Sequence, residues 1–162
     1  MTVLVAYASK HGSTRGIAEA IGGRFLDRRV EAVVRPIRDV DGLESYEAIV
    51  IGSAVYLGAW MKEAVAFSER HAGTLSGVPV WLFSSGPLGE DVEDEEPQPR
   101  QLPELEAALS PRDHQVFFGA LDRSKLGFAE RMIVKAVKAP DGDYRDWDAI
   151  AAWADEIAAS LA

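Results

Sequence analysis

The chain has 162 residues and a formal net charge of −9, with 48% apolar and 27% charged residues; this is the size of about one domain of roughly 150 residues, with an ordinary globular composition. Zero cysteines exclude a disulfide scaffold, a thiolate nucleophile, Cys-ligated zinc and an iron–sulfur cluster, and three histidines form no cluster for a metal, so any redox chemistry belongs to an organic cofactor. The acid excess makes the chain a poor nucleic-acid binder, and no apolar run reaches the ~18–20 residues of a membrane span.

Met1 is followed almost at once by Thr2–Ala8 (TVLVAYA), a near-continuous apolar run that reads as a strand. No basic segment, apolar core and cleavage site precede it, so the cytoplasm is the expected compartment. Thr14–Asp27 puts Ile17, Ala20, Ile21 and Phe25 on one helical face. Arg29–Arg35 alternates around Val30, Ala32 and Val34 as a weaker strand, and Tyr46–Ser53 (YEAIVIGS) is a strand with a β-branched centre. Ala59–His71 reads as a helix carrying Met61, Ala64, Val65 and Ser68, and Val78–Ser84 (VPVWLFS) as the next strand. Leu102–Leu109 is a short helix with Pro103 in its first turn, and Gln115–Leu121 (QVFFGAL) is the last strand. Trp147–Leu161 is the clearest helix, with Trp147, Ile150, Ala151, Ala154, Ile157, Ala158 and Leu161 on the 3.6-residue period and Asp146 as its N-cap.

Strands alternating with helices predict an α/β domain with right-handed crossovers. Continuous apolar strands predict a sheet covered on both faces, the condition of a parallel sheet. One domain over 1–162 is expected, with an insertion at about 122–143 before the last helix. Within it, Phe128, Ala129, Met132, Ile133, Ala136 and Val137 share one face, and Arg131, Lys135 and Lys138 the other. Residues 128–138 are therefore expected to form a short basic amphipathic helix. It either covers the core or makes a weak peripheral membrane contact. Glu90–Glu96 (EDVEDEE), followed by Pro97 and Pro99, reads as a solvated loop.

In a doubly wound sheet, ligands bind at the carboxyl ends of the strands near the topological switch point. Three loops converge there. The first, Ser9-Lys10-His11-Gly12-Ser13-Thr14, is hydroxyl-rich and opens a helix. Its position fits two roles, an anion site built from backbone N–H groups or a helix cap by Ser13 or Thr14. It is not a P-loop, because G-x-x-x-x-G-K-[ST] is absent, and no G-x-G-x-x-G marks a dinucleotide site. A phosphorelay receiver would need acids where Ala8-Ser9 and Gly52-Ser53 stand. The second loop, Ser53-Ala54-Val55-Tyr56-Leu57-Gly58, follows Gly52 and precedes Trp60. It could present backbone groups to a planar ring and an aromatic to its face, or Tyr56 and Trp60 could simply pack on the domain. The third, Ser84-Ser85-Gly86-Pro87-Leu88-Gly89, is a Gly- and Pro-marked turn whose serines can supply hydroxyl donors.

Together these loops resemble those of the flavodoxin superfamily. Ser9-x-x-Gly12-x-Thr14 resembles its phosphate loop, and Gly52–Gly58 and Ser84–Gly89 stand where flavodoxins place their two ring-contacting loops. The resemblance spans essentially the whole chain. It implies a flavodoxin-like doubly wound five-stranded parallel sheet, order 2-1-3-4-5, with helices on both faces. It also implies flavin mononucleotide (FMN) as cofactor, with Ser9–Thr14 on the phosphate and Ser53–Gly58 and Ser85–Gly89 on the ring. Gly52–His71, Gly119-Ala120-Leu121 and Ala129–Ala139 further resemble the menaquinone-dependent protoporphyrinogen dehydrogenase family. The acidic run Glu90–Glu96, the composition of Asp122–Gly127 and His11 depart from its pattern. The implied activity is flavin-mediated electron or hydride transfer, as an oxidoreductase acting on a small-molecule reductant or quinone. The alternative is a non-catalytic electron carrier between redox proteins.

Overall fold

A computed structural model describes residues 1–10, 12–56, 58–86, 99–117, 120–121, 142–143 and 145–162. The acidic run, the predicted helix at 128–138 and site residues His11, Leu57, Pro87, Leu88 and Gly89 lie outside the described residues.

Strand β1 (Thr2–Ala8) is the centre of the molecule, and its alternation splits the core in two. Val3, Val5 and Tyr7 join one apolar cluster, and Leu4, Ala6 and Ala8 join the other. Helices α1 (Ser13–Asp27) and α5 (Trp147–Leu161) close the first face through Ile17, Ile21 and Phe25 and through Ile150, Trp153 and Ile157. Helices α2 (Lys62–Arg70), α3 (Ala72–Leu75) and α4 (Leu102–Leu109) close the second with Phe67, Leu75, Leu102, Leu105 and Leu109. Each fully buried Leu, Ile or Phe side chain contributes about 1.5–3 kcal/mol relative to exposure.

Strands β2 (Glu31–Pro36), β3 (Ala48–Tyr56), β5 (Val80–Ser85) and β6 (Asp113–Phe117) complete the parallel sheet in the order β2-β1-β3-β5-β6. Counted over the five parallel strands this is the expected 2-1-3-4-5. Strand β4 (Ala59–Trp60) folds back antiparallel on β3, and β7 (Ala120–Leu121) pairs with β8 (Gly142–Asp143) in a separate ribbon. No helix among the described residues is long and apolar enough to cross a membrane.

Three of the boundaries that differ from the sequence reading do so for local reasons. Strand β2 begins at Glu31 because Arg29 takes a left-handed conformation (φ 63) to end the turn after α1. The helix expected from Ala59 starts at Lys62 because β3 runs on to Tyr56 and turns back to pair with Ala59 and Trp60. The last parallel strand spans Asp113–Phe117, and Ala120–Leu121 leaves the main sheet for the ribbon. The N-cap is as expected: Asp146 accepts from the Ala149 amide at 3.0 Å.

Two contacts set the tightness of the assembly. A β-carbon at Gly52 would overlap the Phe83 ring, so Gly52 is small because an aromatic crosses it. On the outer surface, Asp155 of α5 receives both Arg24 (2.7 and 2.8 Å) and Arg28 (2.9 and 2.9 Å) of α1, each in bidentate geometry. Hydrogen bonds from Arg24, then Arg28, hold the Asp155 carboxyl well below the usual carboxylate range.

Gly52→Ala should lower folding stability by about 1–3 kcal/mol, the cost of overpacking a filled core, as read by urea denaturation. Asp155→Asn should lower the urea midpoint at neutral pH. A depressed folded pKa stabilises above the unfolded value, so the wild-type advantage should be constant at neutral pH and shrink below about pH 4. An advantage that persists unchanged into strong acid would show that the carboxylate is not its source.

Candidate functional site

The register places the strand ends level. Ala8 of β1 lies opposite Ser53 of β3, Ser53 opposite Ser84 of β5, and Ala54 opposite Ser85. Neighbouring strands lie about 4.8 Å apart, so the loops after β1, β3 and β5 emerge in one row. The chain leaves β1 toward β2 on one side and β3 continues the sheet on the other, which puts the switch point at this row.

In the first loop, Gly12 takes φ 91, a left-handed conformation, and its amide donates to Ser9 Oγ at 3.0 Å. The first hydrogen bond of α1 runs from Gly16 N to Gly12 O at 3.1 Å, so the amides of Ser13, Thr14 and Arg15 precede the helical ladder. No side chain caps this terminus, which removes the capping role for Ser13 and Thr14. Thr14 is fully buried, and its hydroxyl has no hydrogen-bond partner among the described residues. Leaving a buried hydroxyl unpaired costs about 1–3 kcal/mol. Amides at a helix start together with a buried donor lacking an acceptor fit a phosphate group.

The second and third loops show the same division. Ser53 is fully buried but engaged: its hydroxyl donates to Ala54 O at 2.9 Å and accepts from Met61 N at 3.0 Å. Its side chain therefore anchors the start of α2, and what Ser53 and Ala54 offer outward is backbone. The Tyr56 hydroxyl is buried and unpartnered, while Lys10 Nζ sits 5.3 Å from the centre of its ring. Gly58 O accepts from Arg100 N at 2.9 Å, tying the hairpin to the segment before α4. Trp60 is only 2% exposed and belongs to the core, so it packs on the domain and Tyr56 is the aromatic left at the loop.

At the third loop, the Ser85 hydroxyl is buried and unpartnered. Gly86 holds φ 116 and donates its amide to Phe117 O at 2.8 Å, and a β-carbon there would approach Val55 O to 3.3 Å. Only glycine suits both conditions, and Val55 thereby packs the second loop against the third. Among the described residues, Thr14, Tyr56 and Ser85 are the three with buried, unpartnered side-chain oxygens, one on each loop.

The sequence reading missed Arg100, Gln101 and His114, which brace these loops from behind. Gln101 Oε1 accepts from Trp60 N at 3.1 Å. None has a local signal, because each is recruited from a segment distant in sequence. A cleft of about 160 Å³ lies beside the first loop between Ser9, Gly12, Arg15, Arg38 and Glu63, with Arg15 paired to Glu19 at 2.8 Å. A larger one, about 690 Å³, includes Arg28, Arg29, Glu31 and Asp155 at the amino edge of the sheet, away from all three loops. The first lies at the carboxyl ends of β1 and β2, beside Tyr7 and Pro36. Among the described residues, no group of three or more His, Asp or Glu is arranged to hold a metal.

A family model described as "Flavodoxin domain" matches residues 4–148. Protoporphyrinogen IX dehydrogenase [quinone] of Escherichia coli (strain K12) is 23% identical over 172 aligned positions, covering 98% of this chain and 95% of that protein. A flavodoxin from the domain Archaea is 24% identical, with a TM-score of 0.59 over 85% of this chain and 99% of its own. A short-chain flavodoxin associated with a non-canonical PDU bacterial microcompartment is 15% identical, with a TM-score of 0.67 over 100% and 99%. The matched span covers all three loops and most of the chain, which belongs to the flavodoxin domain family.

Proposed function

We propose that the protein binds FMN at the carboxyl edge of its sheet and works as a flavin-dependent oxidoreductase, passing electrons between a porphyrinogen-type small-molecule reductant and a quinone. The observation that carries the cofactor is the set of unpartnered buried hydroxyls of Thr14, Tyr56 and Ser85 on three adjacent loops. A cofactor with a phosphate at one end and a hydrogen-bonding ring at the other satisfies all of them. In this reading the chain is one flavodoxin-like domain acting in the cytoplasm, with 122–143 as an insertion. The dehydrogenase type is supported by the alignment with the E. coli enzyme, whose 98% coverage includes that insertion.

FMN supplies the one- and two-electron chemistry when bound, and the protein supplies binding, orientation and field. The amides of Ser13, Thr14 and Arg15 and the Thr14 hydroxyl would hold the phosphate dianion, helped by the positive end of α1. Gly12 keeps that terminus open, since nothing lies within 4 Å of where its β-carbon would stand. Backbone groups of Ala54–Tyr56 and Ser85–Gly86 would meet the ring edge, and Tyr56 would cover a face. No side chain is required as acid or base. Tyr56 and the small residues around it would exclude water, which disfavours an anionic reduced ring.

The first measurement is an absorption spectrum of the purified protein, followed by titration with FMN and with riboflavin. FMN should bind at least about tenfold more tightly, the worth of charge-assisted hydrogen bonds to one phosphate. Equal binding would sink the first loop as its cradle, and failure of both flavins to bind would sink the redox reading. Thr14→Val keeps the shape and removes the unpaired hydroxyl. Its folding stability should hold or rise by up to about 1 kcal/mol while FMN affinity falls about tenfold and riboflavin affinity stays constant. For the subtype, the flavin-loaded protein should oxidise protoporphyrinogen IX with a menaquinone analogue as acceptor. No turnover, together with rapid electron exchange with a flavodoxin reductase, would assign the carrier role instead.

A further inference from the structure

The second and third loops are joined by a hydrogen-bond chain that runs from buried Trp60 and Ser84 to half-buried His114. The Trp60 indole Nε1–H donates to Ser84 Oγ at 2.8 Å, and Ser84 Oγ lies 2.8 Å from His114 Nε2. Trp60 is 2% exposed and Ser84 fully buried. Trp60 pairs with Val55, and Ala59 with Tyr56, so fixing Trp60 fixes the hairpin that carries Tyr56 and Gly58. Ser84 directly precedes Ser85 and Gly86. His114 stands on β6 opposite Leu82, one strand further from the switch point.

Proton accounting makes His114 the end of the chain that can change. An indole N–H only donates, and a serine hydroxyl has one hydrogen to give. With Ser84 Oγ accepting from Trp60, its hydrogen goes to His114 Nε2. This assigns the neutral ring its own hydrogen at Nδ1. The Trp60 indole hydrogen, the Ser84 hydroxyl and the His114 Nε2 lone pair are then all paired. A protonated ring carries hydrogens on both nitrogens. Two donors then converge on Ser84 Oγ, and the Ser84 hydrogen loses its acceptor among the described residues.

The surroundings favour the neutral form. Asp113, on the same strand, is the charged neighbour that favours the protonated ring, but its carboxylate already accepts from His114 N, Gln115 Nε2 and Trp153 Nε1, each at 2.9 Å. Leu82 and Ser84 of β5, Trp60 of β4 and Gln101 are uncharged. Helix α4 turns Leu105 and Leu109 inward and leaves Glu104 and Glu106 exposed, and Arg112 lies over the Trp81 ring at 5.3 Å. Burial outweighs Asp113 and holds the His114 pKa below the ordinary histidine value.

We propose that His114 is a positioning residue for flavin binding. Neutral, it accepts the Ser84 hydroxyl and keeps the loops carrying Tyr56 and Ser85 in register; protonated, it removes that acceptor and loosens the hold on the flavin ring. The binding half of this rests on the FMN reading above, whereas the chain itself can be observed without any flavin.

Two readouts test it on the full-length protein. In the flavin-free form, the Trp60 indole N–H resonance, identified by its shift in Ser84→Ala, is followed from pH 8.5 to 4.5. It should move with one midpoint below the ordinary histidine range in the wild type and stay flat in His114→Gln, whose side-chain oxygen can accept but not titrate. A flat wild-type resonance, or the same titration in His114→Gln, overturns the proposal. Riboflavin is the binding probe, because a phosphate monoester changes charge itself near pH 6. Its affinity should fall about fivefold between pH 7 and 5 in the wild type, the worth of one hydrogen bond, and hold in His114→Gln. Parallel pH profiles in the two proteins overturn the positioning role even if the resonance titrates. If neither flavin binds at any pH, the FMN reading fails and the positioning role fails with it, while the resonance still reports the chain.

Discussion

β1 has no exposed face, and the rest of the molecule follows from that. Val3, Val5 and Tyr7 need cover on one side and Leu4, Ala6 and Ala8 on the other. A sheet covered on both sides takes helices on both sides, and helical crossovers make neighbouring strands parallel. Parallel strands send all their following loops to one edge. Because β2 and β3 lie on opposite sides of β1, the loops after β1 and β3 part and leave a crevice between them. The site is thus a consequence of burying six consecutive strand residues, Val3–Ala8, before any chemistry is considered.

Hydroxyls at that edge divide into two groups by what they touch. Ser9, Ser53 and Ser84 spend theirs on the Gly12 amide, the Met61 amide and the Trp60 indole, and so shape the loops. Thr14, Tyr56 and Ser85 find no such partner among the described residues. Unpaired buried donors are rare because each costs stability, and here three of them gather at one edge of the sheet. Glycines divide in the same way. Gly52 makes room for Phe83 inside the core, whereas Gly12 opens onto empty space at the start of α1.

The helices α1 and α5 share this logic on the opposite flank. Asp155 gathers Arg24 and Arg28, and Trp153 reaches Asp113 on the edge strand with its indole N–H at 2.9 Å. These polar contacts lock the register of α5 on α1 and β6, and with it the Phe83–Phe117–Trp153 aromatic group. Phe83 of that group fills the space beside Gly52, and the Phe117 carbonyl accepts from Gly86 N, so the same residues touch both the outer helix and the strand-end loops.

Much of this was legible in one dimension. The apolar run of Thr2–Ala8, the 3.6-residue period of Trp147–Leu161 and the Asp146 cap depend on neighbours in the chain, and each was placed to the residue. The strand order and the three loops followed from a resemblance carried by Ser9-x-x-Gly12-x-Thr14 and the segments after β3 and β5. What the sequence could not say is which side chain does which job. Ser53 and Ser85 are both serines at strand ends, and Tyr56 and Trp60 are both aromatics in one loop. Their roles separate only because Met61, Ser84, Gln101 and His114 arrive from elsewhere to satisfy some of them and leave the others open. Periodicity and capping are local and so written in the sequence, whereas hydrogen-bond satisfaction belongs to pairs that only the folded chain brings within 3 Å.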